Sequence, residues 1–243
     1  IALWSDQSVK SQQLPGRQLA MNRYESVIAQ TGSSAVSSNK VLKNTYLLLS
    51  ATLGFSAVMA MVSMAIGVPP IAYLVAVIAA MVLGIFVLPR TANSTSGIGV
   101  IFGITGLLGF GLGSVLSIYL SLPNGPQVIA TAFAGTGIIF LGLSGYALTA
   151  KRDFSFMGGF LFAGMMVVVL AMIANIFLQI PALALAVSAG IILLMSGFIL
   201  FDTSRIVRGG ETNYIMATYG LYLSIFNIFI SLLNILGIMG GDE

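Results

Sequence analysis

Four polar residues recur along one apolar stretch near the C-terminal end of the chain. They are Ser224, Asn227, Ser231 and Asn234, separated by three, four and three positions. In an α-helix this spacing places all four on one face. In a membrane helix such a face either lines a path for an ion or proton, or joins helices by hydrogen bonds worth about 1 kcal/mol each. The second interpretation is the simpler, and Asn175 and Gln179 fit the same choice.

An acidic residue, Asp202, lies at the end of another apolar stretch, three residues before Arg205. One interpretation is an interfacial charge at a helix end that Arg205 neutralises. The other is a gate, in which protonation of Asp202 or a change of partner between Arg205 and Arg90 opens an inner vestibule. The sequence leaves both interpretations open.

The composition excludes most catalytic and metal chemistry. The chain contains no Cys and no His, which removes thiolate nucleophiles, His-ligated metals and Ser-His hydrolysis. The string at Gly142–Gly145 matches the Gly-x-Ser-Gly of rhomboid-type proteases, but their serine needs a histidine from another helix. We therefore predict no enzymatic activity, cofactor or metal site. The ten Lys and Arg residues are scattered, which favours a membrane surface over nucleic acid as partner.

These residues require helices in a lipid bilayer to position them. Charged residues make up 7% of the chain and apolar residues 58%, whereas soluble domains are about a quarter charged. Apolar runs of about 20 residues cross the hydrocarbon core as helices. We predict seven spans, at Thr45–Ile66, Ile71–Leu88, Ile98–Leu120, Val128–Leu148, Met157–Leu178, Ala182–Phe201 and Tyr214–Ile238.

The positions of the positive charges predict the orientation of the bundle. All ten Lys and Arg residues precede the first span or follow the second, fourth and sixth, and such residues stay in the cytoplasm during insertion. We expect an all-α integral membrane protein, a seven-transmembrane-helix bundle with its N-terminus in the cytoplasm and its C-terminus in the periplasm. Residues 1–39 are expected to be a flexible polar cytoplasmic tail, in which residues 1–20 are an extension before Met21. Residues 40–238 are the membrane domain and residues 239–243 a short periplasmic tail.

Glycines predict close helix packing in the third span. Gly99 and Gly103 form one pair at four-residue spacing, and Gly109 and Gly113 form another. Small residues at this spacing let helix backbones approach closely in lipid. We expect helix packing at these positions, and a glycine-lined pore is the alternative.

Several strings resemble the Bax inhibitor-1 family, the transmembrane Bax-inhibitor-motif proteins. Three of them are TGLLGFGLGSVL from Thr105, LFDTSRIV from Leu200 and LYLSIFNIF from Leu221. Three more, which resemble the bacterial YccA-like branch, are KVLKNTY from Lys40, ANIFLQ from Ala174 and GGETNY from Gly209. The resemblance covers about residues 38–238 and implies a seven-helix bundle.

The resemblance implies two functions. For the YccA-like branch it implies a bacterial inner-membrane protein that is a substrate and modulator of the membrane-anchored AAA protease FtsH with its partners HflK/HflC. The tail before Lys40 would be the end that the protease grips. For the best-described family members it implies a pH-sensitive calcium leak controlled by two aspartates. Asp202 matches the first aspartate, but Ser224 occupies the place of the second. Protease modulation is our expected function, and a calcium or proton leak channel is the alternative.

Overall fold

The computed structural model describes the backbone of residues 15–150 and 152–240 and the side chains of residues 38–150 and 152–240. Within this part of the chain, seven helices are long and apolar enough to cross a membrane. They are α1 (Pro15–Ile66), α2 (Ile71–Thr91), α3 (Ser96–Leu120), α4 (Gly125–Thr149), α5 (Gly158–Leu178), α6 (Pro181–Val207) and α7 (Tyr214–Met239). Each predicted span corresponds to one of these helices, so the predicted all-α architecture with seven spans is confirmed.

Turn residues end the helices where the apolar runs are interrupted. Gly67 after α1 and Gly209 after α6 both have a φ of 74°, a left-handed conformation that glycine adopts without steric penalty. Pro181 is the first residue of α6, where its fixed φ suits a helix start and its missing N–H is not needed. Because the turns are short, successive helices cross the bundle in opposite directions.

Helix α1 begins at Pro15, well before the first predicted span. Residues 15–39 are therefore part of a helix, where the sequence predicts a flexible tail. The segment suitable for crossing a membrane begins at Ser38. A helical backbone does not decide whether the segment before Lys40 is flexible, so the flexible tail stays a prediction. Residues 1–14 and 241–243 lie outside the described backbone, as do most of the predicted extension and the predicted C-terminal tail.

Helices α3 and α7 form the centre of the bundle, since they are the most buried of the described spans. Helices α1 and α2 pack on α3, and α4 and α6 pack on α7. The central side chains are fully buried, among them Ile104 of α3 and Tyr222 of α7. Helix α5 packs on α6 at the edge of the bundle and is the least buried span.

The two glycine pairs of α3 have different surroundings. A Cβ added to Gly109 would lie 2.7 Å from the Cα of Ser56 on α1, and a Cβ added to Gly113 would lie 2.6 Å from the Cβ of Ser63 on α1. At Gly99 and Gly103 such a Cβ would meet no atom within 4 Å, so the close packing expected of this pair is not found. Gly109 lies six positions after Gly103, a rotation of roughly 240° about the helix axis, so one pair faces α1 and the other does not.

Candidate functional site

Asp202 lies near the end of α6 and faces α7. A Cβ added to Gly220 of α7 would lie 2.8 Å from the Oδ2 atom of Asp202, so the absence of a side chain at Gly220 makes room for the carboxylate. Among the described residues, none forms a hydrogen bond or an ion pair with this carboxylate. An acidic side chain thus lies between two apolar helices without a bonded partner in the described part of the chain.

The two arginines predicted as partners of Asp202 make other contacts. The Nη2 atom of Arg205 lies 3.4 Å from the Oε2 atom of Glu211. The guanidinium of Arg205 also lies over the ring of Phe201, 5.3 Å from its centroid. Arg90 donates a hydrogen bond of 2.7 Å to a backbone carbonyl one turn earlier in α2. The structure therefore brings neither arginine into an ion pair with Asp202.

Glu211 and Asn213 connect three segments at this end of the bundle, and neither was predicted from the sequence as a site residue. Glu211 accepts a hydrogen bond of 2.9 Å from the backbone N–H of Asn213. The Asn213 side chain accepts two hydrogen bonds, of 2.9 and 3.1 Å, from backbone N–H groups in the first turn of α7. Its amide nitrogen donates to the carbonyl of Ala92 at 3.0 Å and to the side chain of Asn93 at 2.8 Å. An Asn directly before an apolar helical run was the available signal, since it is a typical helix N-cap.

The polar residues of α7 satisfy their hydrogen bonds in different ways. Ser224 and Asn227 donate to backbone carbonyls one turn earlier in α7, at 3.1 and 2.8 Å. Asn234 donates to the hydroxyl of Ser188 on α6 at 2.9 Å. Ser231 forms no hydrogen bond with a described residue. The residues share a face as predicted, but of the four, Asn234 is the one whose side chain joins α7 to another described helix.

A cavity of about 290 Å³ lies between α5, α6 and α7, at the end of the bundle opposite the arginines. Its polar lining comprises Asn175, Ser188, Ser231 and Asn234. Asn175 therefore lines the same cavity as Ser231 and Asn234, the last two residues of the polar face of α7. Gln179 does not line this cavity; it follows α5 with a φ of 51°.

Serine hydroxyls elsewhere in the bundle bond to tyrosines on neighbouring helices. Ser144 of the Gly-x-Ser-Gly string forms a hydrogen bond with the hydroxyl of Tyr46 on α1. Tyr222, which is 1% exposed, forms a hydrogen bond of 2.7 Å with Ser56. The part of the chain with described side chains contains no group of His, Cys, Asp or Glu suited to hold a metal ion. Ser144 thus joins α4 to α1 through this hydrogen bond.

The loop between α4 and α5 is bound to the end of α6 through Asp153. The Oδ1 atom of Asp153 accepts hydrogen bonds from the backbone of Ser155 at 2.9 Å and from the hydroxyl of Ser204 at 3.4 Å, and it lies 3.7 Å from the Nε atom of Arg208. Ser204 also accepts a hydrogen bond of 3.1 Å from the backbone of Phe154. The hydrogen bonds from Ser155, followed by the charge of Arg208, hold the pKa of the Asp153 carboxyl below its ordinary value.

Comparison with known proteins identifies the family. The family model described as "Inhibitor of apoptosis-promoting Bax1" matches residues 38–241. The "Modulator of FtsH protease YccA" of Escherichia coli K12 is 50% identical over 210 residues, which are 86% of this chain and 95% of the relative. The "Inner membrane protein YccA" of E. coli O6:H1 gives the same values. An "Uncharacterized membrane protein" of Vibrio cholerae is 56% identical over 205 residues, 84% of this chain and 92% of the relative. The predicted resemblance is thus confirmed, and the chain is a multi-pass membrane protein that belongs to the Bax inhibitor-1 family.

Proposed function

We propose that this chain is a bacterial inner-membrane protein that modulates the membrane-anchored AAA protease FtsH, together with HflK/HflC, and is itself a substrate of that protease. The observation that carries the proposal is the E. coli relative named for modulating FtsH, which is 50% identical to this chain over 95% of its own length. A bundle of seven apolar helices would lie in the same bilayer as a membrane-anchored protease. The two proteins are therefore able to meet without a soluble intermediary.

The distribution of charge supports a cytoplasmic N-terminus. The Lys and Arg residues with described side chains lie at one end of the bundle, at Lys40, Lys43, Arg90, Arg152, Arg205 and Arg208. The described turns at the opposite end, residues 67–70, 121–124 and 179–180, contain no Lys or Arg. Because cationic residues are retained in the cytoplasm during insertion, we assign the charged end to the cytoplasm and the end of α7 to the periplasm.

The segment before Lys40 is the proposed handle for the protease. An AAA protease engages a polar segment outside the membrane, and in the proposed orientation this segment is on the side of the ATPase. The sequence of the segment is polar and lacks the apolar periodicity of a helix that docks onto a bundle. We therefore expect the protease to engage this segment before it reaches the apolar spans.

Deletion of residues 1–37 tests the handle. The deletion variant should lose both copurification with FtsH and degradation by it, while a variant in which a Gly-Ser segment of equal length replaces residues 1–37 separates loss of length from loss of sequence. Asn227→Leu is a matched control within the bundle, because Asn227 bonds to its own helix. If the deletion variant copurifies and is degraded at the wild-type rate, the handle lies elsewhere.

A second proposed function is a pH-sensitive calcium or proton leak. The observation that favours it is the Asp202 carboxylate, which lies against Gly220 without a bonded partner among the described residues. The bonding of Ser224 and Asn227 to their own helix weighs against a continuous path. Flux across liposomes that contain the pure protein decides between the two: a leak requires flux that Asp202→Asn removes and that Gly103→Ala, whose added Cβ would meet no atom within 4 Å, leaves intact.

A further inference from the structure

Helix α1 forms hydrogen bonds with two helices besides α3, on which it packs. Near the charged end of the bundle, the hydroxyl of Tyr46 bonds to Ser144 of α4. One position earlier, the carbonyl of Thr45 accepts a bond of 3.2 Å from the hydroxyl of Thr218 of α7, which also donates to its own helix. Thr45 and Thr218 are fully buried. The start of the first span is thus bound to α4 and to α7.

The contacts of α1 continue along most of the span. Ser56 forms a hydrogen bond of 2.7 Å with Tyr222 of α7. Further along, a Cβ added to Gly113 of α3 would lie 2.6 Å from the Cβ of Ser63. Ser63 follows Tyr46 by 17 residues, which is roughly 26 Å along the helix axis, and the hydrocarbon core is about 30 Å thick. Helix α1 is therefore held at several depths of the membrane.

A pull on the N-terminal segment acts along the axis of α1. The helix runs without interruption from Pro15 to Ile66, so the segment before Lys40 and the first span belong to one element. The hydrogen bonds and the packed face of α1 are directed across this axis, towards α3, α4 and α7. A pull along the axis therefore loads these contacts at the same time, and they must break together before α1 moves.

We propose that α1 is a mechanical lock, which delays extraction of the chain when its N-terminal segment is pulled. The inference rests on the proposed function for the identity of the protease that pulls. When pulling outpaces reclosing, degradation follows the rate at which the structure opens, and here that step is the release of α1 from its neighbours. The lock therefore sets how long one chain occupies the ATPase, and a slowly extracted substrate keeps other substrates waiting.

Degradation rates of the purified full chain test the proposal in two arms. In one arm FtsH degrades the chain in proteoliposomes; in the other a soluble AAA protease pulls on a recognition tag fused before Ile1. Tyr46→Phe and Ser56→Ala each remove one hydroxyl of a bond between α1 and another helix. Each should raise the rate about threefold in both arms, as expected for one hydrogen bond between membrane helices. The double variant should be about tenfold faster, since distant sites add.

Ser188→Ala is the matched control, because it removes a hydrogen bond of the same kind between α6 and α7. It should lower stability in SDS unfolding as much as Tyr46→Phe does, yet leave both degradation rates unchanged. Equal acceleration by Ser188→Ala, or no acceleration by the α1 variants, would overturn the lock.

The two arms separate this inference from the proposed function. If the α1 variants accelerate degradation of the tagged chain but FtsH neither associates with the chain nor degrades it, the lock stands and the proposed function fails. If FtsH degrades the wild type and the α1 variants at one rate, the lock is refuted and the proposed function stands.

Discussion

Substitution of Gly109 by alanine tests how closely α3 and α1 approach. The added Cβ would overlap the carbonyl oxygen of Ser56 and lie 2.6 Å from its Oγ and 2.7 Å from its Cα. Two of these atoms belong to the backbone of α1 and are unable to rotate away. One helix must therefore shift, and this would also disturb the hydrogen bond between Ser56 and Tyr222.

The magnitude follows from two opposing effects. Overpacking of this kind costs about 3 kcal/mol, at the upper end of the usual range because backbone atoms clash. Alanine is more favourable than glycine in a helix by about 1 kcal/mol, so Gly109→Ala should lower the free energy of unfolding by about 2 kcal/mol. Gly103→Ala is the matched control on the same helix. Its Cβ would meet no atom within 4 Å, so it should gain about 1 kcal/mol from helix propensity alone.

The assay is reversible unfolding of both variants in mixed micelles with increasing SDS, followed by circular dichroism. The expected difference between the two variants is about 3 kcal/mol. If Gly109→Ala is as stable as Gly103→Ala, α1 and α3 do not pack through this glycine, and the arrangement at the centre of the bundle is refuted.

The remaining predictions concern the loop, the carboxylate and the topology. Asp153→Asn should destabilise the bundle at neutral pH. Because the pKa of Asp153 is lowered on folding, its contribution is present above the unfolded value of about 4 and is lost as the pH falls through the folded value, so the melting temperatures of variant and wild type should converge in acid. Ser224→Asp, one turn from the glycine that Asp202 contacts, should create pH-dependent calcium flux in liposomes that Asp202→Asn cancels; flux without pH dependence would contradict this. Alkaline phosphatase fused after the last residue should be active, and a fused cytoplasmic reporter that is active would refute the N-in topology.

Hydrophobicity and helix-breaking residues made the seven spans predictable from the sequence. In lipid, a helix must satisfy its own backbone and present an apolar surface over the core thickness, and both requirements are local in sequence. Helix termini outside the core are less constrained. Helix α6 extends beyond the predicted Phe201 to Val207, because the polar residues there can remain helical at the membrane surface.

Contacts between helices were less predictable, because periodicity shows which residues share a face but not what that face meets. The spacing of the Gly99 and Gly109 pairs is the same, yet one pair packs against α1 and the other does not. Arg205 has two acidic neighbours in the sequence, and the spacing favoured Asp202. The turn after α6 instead brings Glu211 to within 3.4 Å of Arg205, and no periodic pattern encodes that turn.

The proposed modulation of FtsH is tested most directly by the rate at which the protease degrades a second membrane substrate in proteoliposomes. Purified protease is reconstituted at a fixed amount, with and without this chain and with and without HflK/HflC. If the chain is both substrate and modulator, it should associate with the protease and slow degradation of the second substrate as its concentration rises, because the two compete for one ATPase. An unchanged rate at excess chain, with no association in either reconstitution, would contradict the proposed function.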